Sequence, residues 1–260
     1  MKKIAKDRCI HCLTYKNNIT NDHVIPKSWY SNNSKYSYKP TAPACYECNQ
    51  ELGKQEKIIS HLMWMCIPAS HLLRKELTAK VFRACGLTAD GKPLPELTNK
   101  ERCIRELYRK ELLSFAKSPI EAKFDESSIF PGFEYHKESS KEAQKVTFLN
   151  AKFIENIAKK VVRGLEYIQQ KRNRYIENPY KLEVYFPQNP HESSLKIIRE
   201  KSPIFSDGTN SIQRGADPNK PLEPVYIIRL WNQWEIWGVI MHEERYKKIM
   251  TETGQFDIIN

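Results

Sequence analysis

Two cysteine pairs, Cys9-Ile10-His11-Cys12 and Cys45-Tyr46-Glu47-Cys48, bracket a segment that carries Asp22 and His23, and Asn49 follows the last cysteine directly. Two Cys-x-x-Cys pairs can supply four sulfurs at about 2.3 Å in a tetrahedron, the closed geometry of a structural zinc site. The loop between the pairs, residues 13 to 44, is longer than a compact zinc ribbon needs. Its contents therefore matter. A histidine with a near-neutral pKa suits the role of general base. A carboxylate and an amide oxygen are hard ligands suited to Mg²⁺, whose remaining positions go to water and phosphate oxygens. Phosphodiester hydrolysis needs such a set: an activated water, a divalent ion to neutralise developing charge, and stabilisation of the leaving oxygen.

Asp22-His23-Val24-Ile25-Pro26, followed by Cys45-x-x-Cys48-Asn49-x-x-Leu52-Gly53, resembles the HNH endonuclease family, in particular its zinc-clamped variety. The matching segment covers residues 8 to 60, under a quarter of the chain. The resemblance implies a β-hairpin packed on a helix, the ββα-metal fold. It implies His23 as general base, Asp22 as a ligand of a catalytic Mg²⁺ or similar ion, and Asn49 as a second ligand from the start of the helix. Cys9, Cys12, Cys45 and Cys48 would hold Zn²⁺ apart from the chemistry. Glu56, seven residues beyond Asn49, falls at the last position of the family pattern and is expected to bind or support that ion. His11, between two zinc ligands, is expected at the surface.

One departure stands out. The family's middle Asn is absent, and Pro40 and Thr41 occupy that region. In the family a backbone carbonyl near that position orients the base histidine. Proline keeps its carbonyl, so the expectation is that orientation survives while the side-chain contact is lost.

The charge balance agrees with a polyanionic partner. The chain has 42 Lys plus Arg against 31 Asp plus Glu, a formal +11. Four thiolates with one Zn²⁺ would lower this by two, and the remaining excess still favours nucleic acid. Lys27, Lys39 and Lys54 lie close to the motif and are candidate phosphate contacts, with DNA favoured over RNA as substrate. Trp29 and Tyr30 are read as core packing beside the hairpin. No apolar run approaches the ~18 residues of a membrane span, and the N-terminus lacks the apolar stretch of a signal peptide. Seven cysteines without disulfide logic fit a reducing, cytoplasmic setting. Cys66, Cys85 and Cys103 are read as small buried hydrophobes.

The elements that must position these residues give an α+β reading in four parts. Residues 1–66 form the zinc-bound nuclease unit, with a helix starting near Asn49 and closed by Pro68. Residues 67–118 are helical, with one helix over about 70–84 and another behind the capping-box spacing of Thr98 and Glu101. Residues 119–147 read as an irregular connector. Residues 148–260 make an α+β region of unknown role. A helix at about 150–172 there carries Phe153, Ile154, Ile157, Val161, Leu165 and Ile168 at the 3.6-residue period. Lys159, Lys160 and Arg163, with Lys171, Arg172 and Arg174 beyond, give that helix a basic side, read as a candidate phosphate track. Lys181–Phe186 alternates as a strand, and Val225–Leu230 with Trp234–Met241 form a hairpin around Asn232-Gln233.

The expected activity is thus a metal-dependent endonuclease, with a defence or restriction-type effector, whose C-terminal region meets a regulatory partner or a second copy, as a further reading. The alternative is a non-catalytic zinc-dependent module that binds nucleic acid or protein. That alternative predicts zinc and DNA binding without cleavage.

Overall fold

The structure is a computed structural model and describes residues 7–30, 39–66, 74–84, 88, 92, 98–99, 102, 151–170, 175–185, 203–207, 210–231 and 234–253. The fold is α+β. Strands β1 (Asp7–Arg8) and β2 (Tyr15–Lys16) pair as a short ladder around the first cysteine pair. Strands β3 (Ile19–His23) and β4 (Thr41–Cys45) pair antiparallel, one residue to one residue, from Ile19 opposite Cys45 to His23 opposite Thr41. Helix α1 (Tyr46–Cys66) leaves β4 without a loop, and α2 (Arg74–Ala84) packs on it. Helix α3 (Ala151–Gln169) precedes a five-stranded antiparallel sheet. Its strands are β5 (Tyr180–Tyr185), β6 (Phe205–Ser206), β7 (Ser211–Gly215), β8 (Val225–Leu230) and β9 (Trp234–His242), in the order β5-β9-β8-β7-β6. Helix α4 (Glu243–Thr253) follows β9 directly.

Helix α1 starts three residues before the expected Asn49. The Tyr46 N–H donates to the Asn18 carbonyl, and the Asn18 side-chain amide donates to the Glu47 carboxylate. A backbone N–H and Asn18 hold that carboxylate down at about 2, as suits an anion on a helix N-terminus. Cys48 and Asn49 therefore sit in the first helical turn, directly behind Cys45 at the end of a strand. The junction itself brings the second cysteine pair and Asn49 together.

Helix α3 departs from its reading as an amphipathic helix with a wet basic side. Ile154, Ile157, Ala158, Val161, Val162 and Leu165 are buried, as the stripe requires, yet Lys160 is only 2% exposed. The helix is wedged between two surfaces, β5 and β9 on one side and α1 and β4 on the other. Two glycines permit the close fit. A Cβ at Gly164 would fall 2.6 Å from Val24 Cγ2, and one at Gly238 on β9 would strike Val162. Lys159 pairs with Glu155 at 2.7 Å. Lys171, Arg172 and Arg174 lie outside the described residues. Lys160 is therefore not part of a solvated phosphate track along this helix.

The core runs through both ends of the chain. Ile10, Val24, Ile25, Trp29, Ala42 and Ile59 belong to the same apolar cluster as α3 and the inner face of the large sheet. Trp29 makes the tightest link: its indole N–H donates 2.7 Å to Ser60 Oγ, and its ring lies 5.0 Å from that of Trp231. The Trp231 indole N–H and the Asn210 amide both donate to the Trp29 carbonyl at 3.3 Å. Trp29 and Tyr30 are core residues, in line with their sequence reading. The helix over 70–84 is described from Arg74, the strand near Lys181 spans Tyr180–Tyr185, and the late hairpin is β8–β9. Beyond Thr98, the Arg102 N–H bonds to the Thr98 carbonyl as a helix would. The connector over 119–147, and the side chains of Cys66, Cys85 and Cys103, lie outside the described residues. No described helix is long and apolar enough to cross a membrane.

Candidate metal clamp and adjoining polar site

The first cysteine pair sits on a knuckle. The Cys9 N–H donates to the Thr14 carbonyl and the Leu13 N–H to the Cys9 carbonyl, with Leu13 at a φ of 62° to close the turn. The His11 N–H points at Cys9 Sγ from 3.4 Å. The Ile10 N–H bonds to the Pro43 carbonyl, which docks the knuckle on β4 beside Cys45. As a result the four sulfurs of Cys9, Cys12, Cys45 and Cys48 lie within 4.8 Å of one another. Cys12 and Cys45 are 3.8 Å apart. A tetrahedron with metal–sulfur bonds of about 2.3 Å has an edge of about 3.8 Å, so the thiols fit one Zn²⁺. Such a closed four-sulfur shell holds structure and leaves no position for substrate.

The thiols differ in their readiness to ionise. Burial raises Cys12, but hydrogen bonds from Thr14 outweigh it and bring the thiol down to about 6. Burial pushes Cys45 up to about 11 and Cys48 higher still. A bound cation is what would hold all four as thiolates.

A second polar group lies on the other side of this knuckle. Asp22 is 7% exposed, and its Oδ1 accepts from the Lys160 ammonium at 2.8 Å. The same ammonium also bridges to the Glu56 carboxylate. The His11 Nε2 lies 3.5 Å from Asp22 Oδ2, with the His11 side chain only 6% exposed. Arg163, one turn beyond Lys160, reaches the His11 carbonyl at 3.4 Å. Asn156, one turn before it, donates to Gln55 Oε1 at 3.0 Å. The face of α3 bearing residues 156, 160 and 163 thus closes the site from above.

Two buried polar atoms here, His23 Nδ1 and Arg163 Nε, lack a hydrogen-bond partner among the described residues, while His11 Nε2 and Asp22 Oδ2 meet only each other, at 3.5 Å. Orphaned buried groups are scarce in folded proteins, and each calls for a cause such as an ion, a water or a ligand.

The electrostatics separate the roles. Burial alone would raise Asp22, but His11 and Lys160 overcome it and hold the carboxyl below its ordinary value. Glu56 is pushed up, because burial outweighs Lys160 there. Burial and then Lys27 lower His23, so its imidazole is neutral at neutral pH. Burial likewise lowers His11, against the pull of Asp22.

The remaining candidates are placed as follows. The Asn49 amide N–H donates to Thr20 Oγ1 at 2.9 Å, tying the helix start to β3. Because β3 pairs with β4 without a bulge, Asp22 and His23 alternate across the pleat. Among the described residues, the four cysteines form the one group of three or more Cys, His, Asp or Glu donors close enough to share an ion; Asp22, His23 and Glu56 do not form another. The Pro40 carbonyl accepts from the Val24 N–H at 2.9 Å, and His23 Nδ1 has no partner. The Pro40 carbonyl thus holds the chain just after His23, and no described residue bonds to the imidazole at Nδ1. Lys27 and Lys54 are exposed, Lys54 beside Glu51 at 3.7 Å. The Lys39 ammonium sits over the Tyr30 ring at 4.9 Å.

His11 corrects the surface reading: its side chain is packed against Asp22. Lys160 and Arg163 also escaped assignment to the site. Position 160 follows a buried stripe without interruption, and a lysine at such a position must find a carboxylate partner. That was the available signal.

No protein-family model matches the chain, and no curated protein or solved structure matches it.

Proposed function

We propose that the cysteine-clamped unit is an HNH-type endonuclease that hydrolyses phosphodiester bonds of nucleic acid, DNA ahead of RNA. The observation that carries this reading is the buried polar group around Asp22, adjacent to a neutral His23 and backed by a thiol cluster of zinc dimensions. In this reading the zinc clamp fixes the knuckle against β4 and takes no part in the reaction. His23 accepts a proton from the attacking water, and its depressed pKa keeps it in the basic form. Asp22, Glu56 and Asn49 are the residues that would hold a divalent ion. Lys160 already serves as a stand-in cation on the two carboxylates, which argues that the pair accepts positive charge. A bound Mg²⁺ or Mn²⁺ would supply neutralisation of charge developing on the phosphate. Lys27, Lys39 and Lys54 would steer the backbone of the nucleic acid.

The test is cleavage of plasmid DNA with Mg²⁺ or Mn²⁺ by wild type and His23→Ala. Loss of cleavage in the variant is the expected result, and equal activity removes the reading.

The non-catalytic alternative also has an observation in its favour. Lys160 fills the space between Asp22 and Glu56, and a purely structural ion pair would do the same. It predicts zinc and DNA binding with no cleavage under any divalent ion.

A further inference from the structure

We infer that Arg163 is the counter-ion of the cysteine clamp, so that zinc loading and the docking of α3 on the knuckle strengthen one another. The inference goes beyond the nuclease reading and holds equally for a module that cuts nothing. Arg163 is half-buried, and its Nε is fully buried with no partner among the described residues. A terminal N–H of the same guanidinium donates to the His11 carbonyl at 3.4 Å, inside the knuckle between Cys9 and Cys12. No described carboxylate pairs with it. Its opposite charges are the sulfurs of Cys48 and Cys9, which alone counter the burial that lowers it. The neighbouring cations are committed elsewhere, Lys160 to Asp22 and Glu56, and Arg8 to Glu177 and the Leu13 carbonyl.

Formal charge gives the contact its purpose. Four thiolates and one Zn²⁺ leave the clamp with two negative charges, and a closed sulfur shell has no ligand that neutralises them. Zinc requires all four sulfurs as thiolates, so a loaded clamp supplies the opposite charge that a partly buried guanidinium needs. The coupling is reciprocal: whatever the clamp contributes to holding Arg163, Arg163 contributes to holding zinc. Arginine suits the place because its planar fork can serve the His11 carbonyl with one N–H and face sulfur with others. Three successive residues of α3 then divide the packing. Val162 meets Gly238 on β9, Arg163 meets the knuckle, and Gly164 admits Val24. Zinc thereby helps to hold α3 against the strand that carries Asp22 and His23.

The experiment compares full-length wild type, Arg163→Gln and Arg163→Lys. Glutamine keeps a donor for the His11 carbonyl and loses the charge; lysine keeps the charge. Competition with a chromophoric chelator should show Arg163→Gln binding zinc at least tenfold more weakly, at the low end of the loss of about 10–100-fold usual for outer-shell partners. Arg163→Lys should recover most of that loss. With Co²⁺ in place of zinc, the sulfur-to-cobalt charge-transfer band should move to longer wavelength in Arg163→Gln and stay in Arg163→Lys, because a cation beside a thiolate lowers the energy of its electrons. A folded Arg163→Gln with wild-type zinc affinity overturns the inference. So does a weakened Arg163→Gln with an unmoved cobalt band, or an Arg163→Lys as weak as Arg163→Gln, since either would be a loss of packing alone. Should Arg163→Gln fail to fold, hydrogen exchange of the wild type decides. Chelating its zinc should speed exchange around Arg163 at least tenfold while β8 and β9 keep their protection; no change at α3, or an equal loss in β8 and β9, overturns the inference. None of these readouts involves cleavage, so the nuclease reading stands or falls separately.

Discussion

Gly164 on α3 rests on Val24, the residue after His23, so closely that a Cβ at position 164 would lie 2.6 Å from Val24 Cγ2. The backbone of α3 is thus seated on the end of the strand that carries Asp22 and His23. Gly164→Ala must push the helix away or turn Val24 aside. Overpacking of this kind costs about 1–3 kcal/mol, visible as a lowered urea midpoint. The same shift should displace Lys160 from Asp22. Unchanged stability in Gly164→Ala would mean that the helix does not approach as closely as described.

Zinc affinity should fall steeply with acid. In the metal-free protein Cys45 is held up at about 11 and Cys48 above that, so both are protonated at neutral pH. Zinc binding must release at least these two protons, which makes the affinity drop by at least about a hundredfold per pH unit near pH 7. Cys12, brought down to about 6, adds its own proton only below that pH. Competition with a chromophoric chelator between pH 6 and pH 8 measures the slope. A slope of one proton or fewer would show that the four thiols do not act as one site. Cys45→Ser should lose the metal, and His23→Ala should keep it.

The two halves of this structure were unequally legible in the sequence. The cysteine clamp was readable because its signal is local: two pairs at fixed spacing, with a strand-to-helix junction behind the second. The helix at 151–169 and the hairpin of β8 and β9 were readable for the same reason, through periods of 3.6 and 2. What the sequence concealed is the contact between distant segments. Lys160 looked solvated because a lysine beside an apolar stripe is usually at its edge, and only the wedge between α1 and the large sheet makes it buried. His11 looked exposed because it lies between two metal ligands, yet the knuckle turns it toward Asp22. Strands β6 and β7 were missed because they are short and carry Ser206, Ser211, Gln213 and Arg214 in place of an alternating apolar pattern.

The acid limb of cleavage should lie below the ordinary histidine value of about 6.5. Burial and the nearby Lys27 both lower His23, and a general base works only while unprotonated. The rate should therefore hold through pH 7 and fall only as acid protonates the imidazole at its depressed pKa. Lys27 is exposed, so Lys27→Ala leaves packing intact and removes one positive neighbour. His23 should then titrate at higher pH, and the acid limb should move up with it. Plasmid nicking rates from pH 5 to pH 8 would show the shift, and proton chemical shifts of His23 would give it without reference to activity. A limb that stays in place in Lys27→Ala would assign the ionisation to another group.

The ion cluster of Asp22, Glu56 and Lys160 should be strongly non-additive. Lys160→Met leaves two buried carboxylates without their ammonium, and breaking a buried pair from one side costs about 3–5 kcal/mol. Adding Asp22→Asn and Glu56→Gln removes the stranded charges and should restore most of that loss, because neutral amides are cheaper to bury than lone carboxylates. The sign of the pH effect follows. In Lys160→Met the carboxyls are buried without a counterion, so their folded pKa values rise above the unfolded ones. Stability of that variant should therefore be higher at pH 5 than at pH 7, being lost as pH rises toward the raised folded values. The triple variant, with no carboxylate at either position, should show no such gain. Chemical denaturation at the two pH values separates these cases. If the losses in Lys160→Met, Asp22→Asn and Glu56→Gln simply add, the three groups do not share one charge environment, and the ammonium between the carboxylates is not what holds α3 against the hairpin.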